Sequence, residues 1–362
     1  MATYVAEALN DPTLYFETLI WTGNGNTPRS LTGLDFQPDM IWSKRRDDAA
    51  GHNLLDSVRG AGANSELCPS STGVEGSNAA ETYGYLSAFT ADGFTVTEGS
   101  SDNAYWNNNT ATYVSWNWKA GTTSGITTTG STITLIGYSF SQTSGFSIVR
   151  YHGNETAGAK IPHGLAQKPA MIILKNLNNT EQWCVYHHRN TSAPATDYLL
   201  LDSTTATADT DVVWNDTEPD TVNVTLGGND IVNKNGEDLI GYIFAEKQGY
   251  SKFGSYVGNN NANGPFLYCG FKPSFFLVKK TDGTDSWTML DNKRSPFNPV
   301  DDQLYANGSD AEADADVLDF VSNGIKIRGN GGSYNGSGNN YIFMAFAEAP
   351  FVNSEGVPCN AK

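Results

Sequence analysis

Four sequence markers recur three times in the same order along the chain, and repetition of that kind constrains the fold more than any single motif does. The segments PDMIWSK (Pro38 to Lys44), PAMIILK (Pro169 to Lys175) and PSFFLVK (Pro273 to Lys279) share a proline, a central apolar residue and a terminal lysine at fixed spacing. Upstream of each stand an aromatic, any residue, glycine and asparagine: Trp21 to Asn24, Tyr151 to Asn154 and Tyr256 to Asn259, with 14, 15 and 14 residues from Asn to Pro. Eight residues beyond each lysine come His52, Trp183 or Trp287, and twelve beyond come Asp56, His187 or Asp291. An arginine follows (Arg59, Arg189, Arg294), with Arg189 one residue out of step. A strand-like segment closes each unit: YVSWNWK (Tyr113 to Lys119), LIGYIFAE (Leu239 to Glu246) and YIFMAFAE (Tyr341 to Glu348).

The chain therefore reads as a triplicated module of about 100 residues, with an N-terminal arm at 1–13, repeat 1 at 14–120, repeat 2 at 145–248, repeat 3 at 249–352 and a C-terminal tail at 353–362. Residues 121–144 form a Thr/Ser/Gly-rich linker with one strand expected over Ile133 to Tyr138. Repeats 2 and 3 follow each other directly, which predicts that they pack together with the first offset.

Within a unit the apolar period is two. Met40, Trp42 and Lys44 alternate with Ile41 and Ser43, whereas Ile172, Leu174, Phe276 and Val278 make the later copies apolar on both faces, as in a central strand. No long amphipathic pattern competes; the best helix candidate is the acidic run from Ala311 to Val321. The expected fold is all-β, three tandem related β-sandwich repeats of jelly-roll-like form. The motif glycine is expected to supply positive φ in a turn, and the proline to start a strand where its missing N–H lies outside the ladder. Lys44, Asp56, Arg59, Lys279, Asp291 and Arg294 are expected to form an ion-pair cluster at one rim.

Composition removes several function classes. The chain has 22 basic and 39 acidic side chains, a net charge of -17, so it lacks the basic footprint that a nucleic-acid partner needs. The start, MATYVAEALNDP, has no cationic segment leading into an apolar run, and no stretch approaches the roughly 18 apolar residues of a membrane span. Synthesis in the cytoplasm without a signal peptide or membrane insertion is expected. Cys68, Cys184, Cys269 and Cys359 show no metal-ligand spacing and read as free thiols.

No nucleophile elbow, zinc-binding helix or phosphate-binding loop occurs, so neither an enzyme nor a cofactor is expected. No acid pair repeats in register, which leaves a polysaccharide depolymerase as the weakest reading. Adjacent His187 and His188 would point to opposite faces of a strand, poor geometry for chelation, and are assigned a surface or rim role. Asp310, Glu312, Asp314 and Asp316 alternate with Ala like a calcium loop but lack its sixth-position Gly and twelfth-position Glu; a solvated acidic loop without metal is expected. Trp106 in DNAYWNNN and Trp214 in VVWNDTEPD lie in polar stretches. Aromatic faces beside amides and hydroxyls suit glycan binding, the alternative being that both pack under loops or into neighbouring subunits.

The stretches VVWNDTEPD (Val212 to Asp220), IFAEKQGYSKFGSYVGN (Ile243 to Asn259), DNKRSPFN (Asp291 to Asn298) and YIFMAFAEAPF (Tyr341 to Phe351) resemble a repeated domain common in proteins of marine bacteriophages, phages of cyanobacteria among them. The resemblance is close from about 145 to 352 and looser in repeat 1, where YVSWNWKAG replaces the FAE ending. It implies a virion structural protein of tail-fibre type and no catalytic residues. Without a heptad shaft or glycine-repeat stalk, a long fibre is not expected. The resulting expectation is a tail-fibre-type or appendage component on the virion surface that contacts host glycan. The alternative is a capsid or tail decoration protein whose three units imitate a trimer around a local axis. Other virion proteins, further copies in a homo-oligomer and host-surface glycan are the expected partners.

Overall fold

The three proline-led segments each become an inner strand, Met40–Arg45, Met171–Asn176 and Phe271–Lys280, because their apolar residues alternate between two faces that are both covered. The computed structural model describes residues 9–352. It is nearly all β, 41% strand against 6% helix.

Around each inner strand the same antiparallel order recurs. An opening strand (Phe16–Thr22, Phe146–His152, Ser251–Val257) pairs with a closing strand (Thr112–Trp118, Asp238–Phe244, Asn340–Pro350). The closing strand pairs with the inner strand, and the inner strand with a return strand (Asn53–Asp56, Cys184–His187, Thr288–Asp291). Register is shared as well: Trp118, Phe244 and Phe346 stand opposite Met40, Met171 and Phe275.

The three arrays differ at their edges. The first stays four-stranded and is faced by a sheet of Arg29–Thr32, Gly93–Thr97 and Tyr85–Thr90. The second grows to seven strands, faced by the pair Ala159–Pro162 and Asn223–Leu226, and the third to eight in a nearly closed barrel. The strand expected in the linker is Leu135–Ser141 and forms an edge of the second sheet, so this segment is built into the fold. The proposed helix from Ala311 is instead the strand Ala313–Val321. Its Leu318 pairs with Val300 on one side and Ile327 on the other, and two waiting strand edges outweigh weak helix propensity.

Alternation along the inner strands divides the interior. Ile41, Ile172 with Leu174, and Phe276 with Val278 enter three separate outer cores, each inside its own sandwich. Met40 with Trp42, Met171 with Ile173, and Phe275 with Leu277 enter one common core. At its centre Trp118, Phe244 and Phe346 form a triangle, with ring centroids 6.4, 5.7 and 6.1 Å apart. The first array, expected to stand apart behind its linker, thus supplies one corner of the centre. Burial of each such ring contributes about 1.5–3 kcal/mol, so the common core is a large share of what holds the arrays together.

Candidate functional site

One set of side-chain hydrogen bonds between the arrays runs in a single direction around a closed ring, while others, such as His187 Nε2 of the second to Phe343 O of the third, run the opposite way. Tyr242 Oη of the second donates to Asp56 Oδ2 of the first at 2.7 Å, and Trp116 Nε1 of the first donates to Asp291 Oδ2 of the third at 2.9 Å. Trp183 Nε1 of the second donates to Ser71 O of the first at 3.0 Å, and Trp287 Nε1 of the third to Leu200 O of the second at 2.9 Å. In the matching position His52 Nδ1 accepts from Trp42 Nε1, which leaves Nε2–H to donate to Tyr305 O of the third at 2.9 Å. Second to first, first to third and third to second is the contact pattern of a cyclic trimer made within one chain.

The markers at the outer ends serve each array separately. The motif aromatics Trp21, Tyr151 and Tyr256 donate to the carbonyls of Trp106, Val232 and Tyr334 at 2.7, 2.7 and 2.5 Å. Buried Asn107, Asn233 and Asn335, one residue on, accept the backbone N–H of Asn24, Asn154 and Asn259 at 3.0, 2.9 and 2.9 Å. The glycine between has ordinary negative φ, contrary to expectation. It is required because a Cβ on Gly23, Gly153 or Gly258 would lie only 1.9, 2.2 or 2.3 Å from a backbone oxygen. These asparagines escaped the sequence reading, although each lies eleven residues before the closing aromatic.

The expected rim cluster is corrected in two respects. Asp56 with Arg59 and Asp291 with Arg294 do pair, each at 2.6 Å, but all four side chains are fully buried. Lys44 and Lys279 take no part, because an antiparallel hairpin carries the aspartate back opposite Met40 or Phe275, at the other end of the inner strand from the lysine. Lys44, Lys175 and Lys279 are buried and donate to loop carbonyls: Lys44 to Arg45 O (2.6 Å) and Asp48 O (3.3 Å), Lys175 to Asn176 O (2.6 Å), Lys279 to Asp285 O (2.9 Å). Burial lowers the pKa of each to about 8.

Both tryptophans singled out for glycan contact are corrected. Trp106 and Trp214 are 0% and 1% exposed. Trp106 packs on Phe94, and Trp214 on Tyr186 while its Nε1 donates to Asp197 O. Each ring turns inward from a segment where Asn108 and Asn109, or Asp216 and Thr217, face outward, so a polar sequence context conceals a core residue. Glu312 of the acidic run joins Arg294 (2.8 Å) to Arg46 (2.6 Å) across the first and third arrays. Among the described residues no group of three or more His, Cys, Asp or Glu is placed to hold a metal ion, Asp310 and Asp314 included; the Asp316 side chain and the tail with Cys359 lie outside the described residues. Cys68, Cys184 and Cys269 are free and buried.

The second array breaks the pattern. His187 stands in the place of Asp56 and Asp291, and three residues on Asn190 stands in the place of the arginines. His187 is buried instead of at a surface or rim: its Nδ1 accepts from Arg189 N at 3.1 Å and Nε2 meets Phe343 O at 3.2 Å. Burial, with His188 and Arg189 nearby, lowers its pKa to about 3, so it is neutral. Met344 occupies the place of the donors Tyr242 and Trp116, so neither side of this junction carries charge. Asn190 is 6% exposed with Nδ2 unpartnered, and Arg189 points outward with no ion pair among the described residues. Shortening Arg to Asn accompanies a cleft of about 780 Å3 between the second and third arrays, lined by both residues and by Thr191, Ser192, Val257 and Asp282. A second groove of about 640 Å3 meets it at His188, Arg189, Glu218 and Ser255.

Residues 11–350 match the model of a family described as a domain of unknown function, DUF7483. No curated protein matches the chain. Among solved structures, the crystal structure of the STIV MCP shares 10% identity at a TM-score of 0.19 over 64% of this chain and 95% of that one, a likeness too slight to bear on fold or function.

Proposed function

We propose that this chain, which belongs to the DUF7483 family of domains of unknown function, is a bacteriophage virion surface protein acting as a ready-made three-part block, a decoration protein seated at a locally threefold position. The closed ring around the Trp118, Phe244 and Phe346 triangle carries the reading: a protein that imitates a trimer in one chain has the symmetry to match a threefold site while keeping three chemically different faces. The marine-phage resemblance supplies the virion context. Partners in this reading are other virion proteins. The -17 charge disfavours packaged nucleic acid as a ligand. Among the described residues no helix is long and apolar enough to cross a membrane.

A second reading, a tail-fibre-type appendage that contacts host glycan, is favoured by the open polar cleft beside Arg189. Imaging the particle and counting copies separates the two. Hundreds of copies at threefold positions support decoration; a few dozen or fewer on the tail support the appendage; absence from the virion overturns both.

A further inference from the structure

We infer that the cleft between the second and third arrays binds a carboxylated saccharide, with Arg189 as the carboxylate anchor. Its volume, about 780 Å3, lies within the roughly 300–1,000 Å3 typical of small-molecule sites. The charge on the cleft wall points to the kind of ligand. Buried Asn190 forms part of that wall, its Oδ1 accepting from Thr207 Oγ1 at 2.7 Å. Arg189 carries an exposed guanidinium without a carboxylate of its own, since the neighbouring Glu218 is already paired with Lys168.

The remaining lining selects a polyol over a phosphate. Asp282 accepts from Asn340 N and Nδ2 through one oxygen, Oδ2, at 2.8 and 2.9 Å, which leaves Oδ1 to accept from a ligand hydroxyl. Ser192 offers a hydroxyl, and exposed Val257 an apolar patch for a sugar ring. One guanidinium opposed by Asp282 gives no excess of positive charge for a multiply charged phosphate, whereas a single carboxylate fits the bidentate fork. The inference deepens the glycan-contact reading by naming the ligand, and rests on that reading only for the ligand's biological source.

The test is calorimetric titration of the full chain with tri-galacturonate, the neutral galactose trimer and inorganic phosphate. Saturable binding of tri-galacturonate is expected, about tenfold or more tighter than the neutral trimer, with no binding of phosphate. Arg189→Gln is expected to abolish the preference for the acid, and Asp282→Asn to weaken both sugars, with unchanged melting temperature in each case because both side chains are exposed. No binding of the acidic trimer, equal binding of the two trimers, comparable phosphate binding, or an unaffected Arg189→Gln variant each overturns the inference. Host-cell adsorption that purified chain still blocks after such a failure would leave the glycan-contact reading standing with a different site; unblocked adsorption would remove the reading without touching a measured affinity for the acid.

Discussion

At two of the three junctions a buried aspartate holds a buried arginine and accepts a hydrogen bond from the neighbouring array; at the other a neutral histidine and an asparagine stand in the same places. Three changes separate them, and they are coordinated: Asp to His187, Arg to Asn190, and the opposing donor to Met344. The ring therefore closes with or without buried charge at a junction, since a buried ion pair and a neutral substitute can be of similar net worth when every partner changes together. The neutral junction opens a cleft of about 780 Å3, and a smaller one of about 370 Å3 lies at the charged first–third junction beside Asn292 and Lys293.

The comparison is broken most sharply by removing one charge. Asp291→Ala leaves Arg294 buried with only Glu312 to offset it, and about 3–5 kcal/mol of unfolding free energy should be lost in urea titration. His187→Ala at the neutral junction should lose less, about 1–3 kcal/mol from the hydrogen bonds to Phe343 O and Arg189 N. Equal losses would show that charge is irrelevant to the difference. Of the same size as the Asp291 loss, Phe346→Ala should cost about 3–5 kcal/mol and lower amide-exchange protection in all three arrays, because its ring touches Trp118 and Phe244; loss confined to the third array would refute a shared core.

Rebuilding the missing pair sharpens the comparison. His187→Asp and Asn190→Arg should each destabilise alone, whereas the double variant should recover about 1–3 kcal/mol relative to their sum and fill the cleft; strict additivity would mean that the cleft is not the vacated arginine site.

The most gradual effect is on pH. His52 and His187 have folded pKa values of about 3, lowered chiefly by burial, against about 6.5 unfolded. Between these values the unfolded chain binds more protons, so stability is full above about pH 6.5 and falls by about 1.4 kcal/mol per pH unit for each histidine as pH drops towards 3. Melting curves from pH 7 to 4 check this, and His187→Asn should remove one histidine's share of the slope.

Much of the architecture was legible in the sequence because it rests on local, repeated signals. Period-two alternation marks strands, the spacing from Pro38, Pro169 and Pro273 marks equivalent inner strands, and an apolar pattern on both faces marks a sheet covered on both sides. The matched aromatics Trp118, Phe244 and Phe346 were identifiable as equivalents, and so was the substitution of His187 for aspartate. Sequence also limited the chemistry, through acidic charge and the lack of catalytic motifs.

Tertiary structure alone decided what lies inside and which units meet. Trp106 and Trp214 read as exposed because their neighbours are polar, yet burial depends on which side of a turn faces the sheet. The aspartates and arginines read as a rim, yet the enclosing surface belongs to another array, from which Tyr242 and Trp116 approach across 186 and 175 residues. Sequence spacing already sets Asn190 against the arginines, but only the closed ring showed that Arg189, one residue away, faces outward. A repeat pattern fixes what each unit can pair within itself; the contacts between units depend on shape and burial, which are properties of the assembled surfaces and leave no period in the chain.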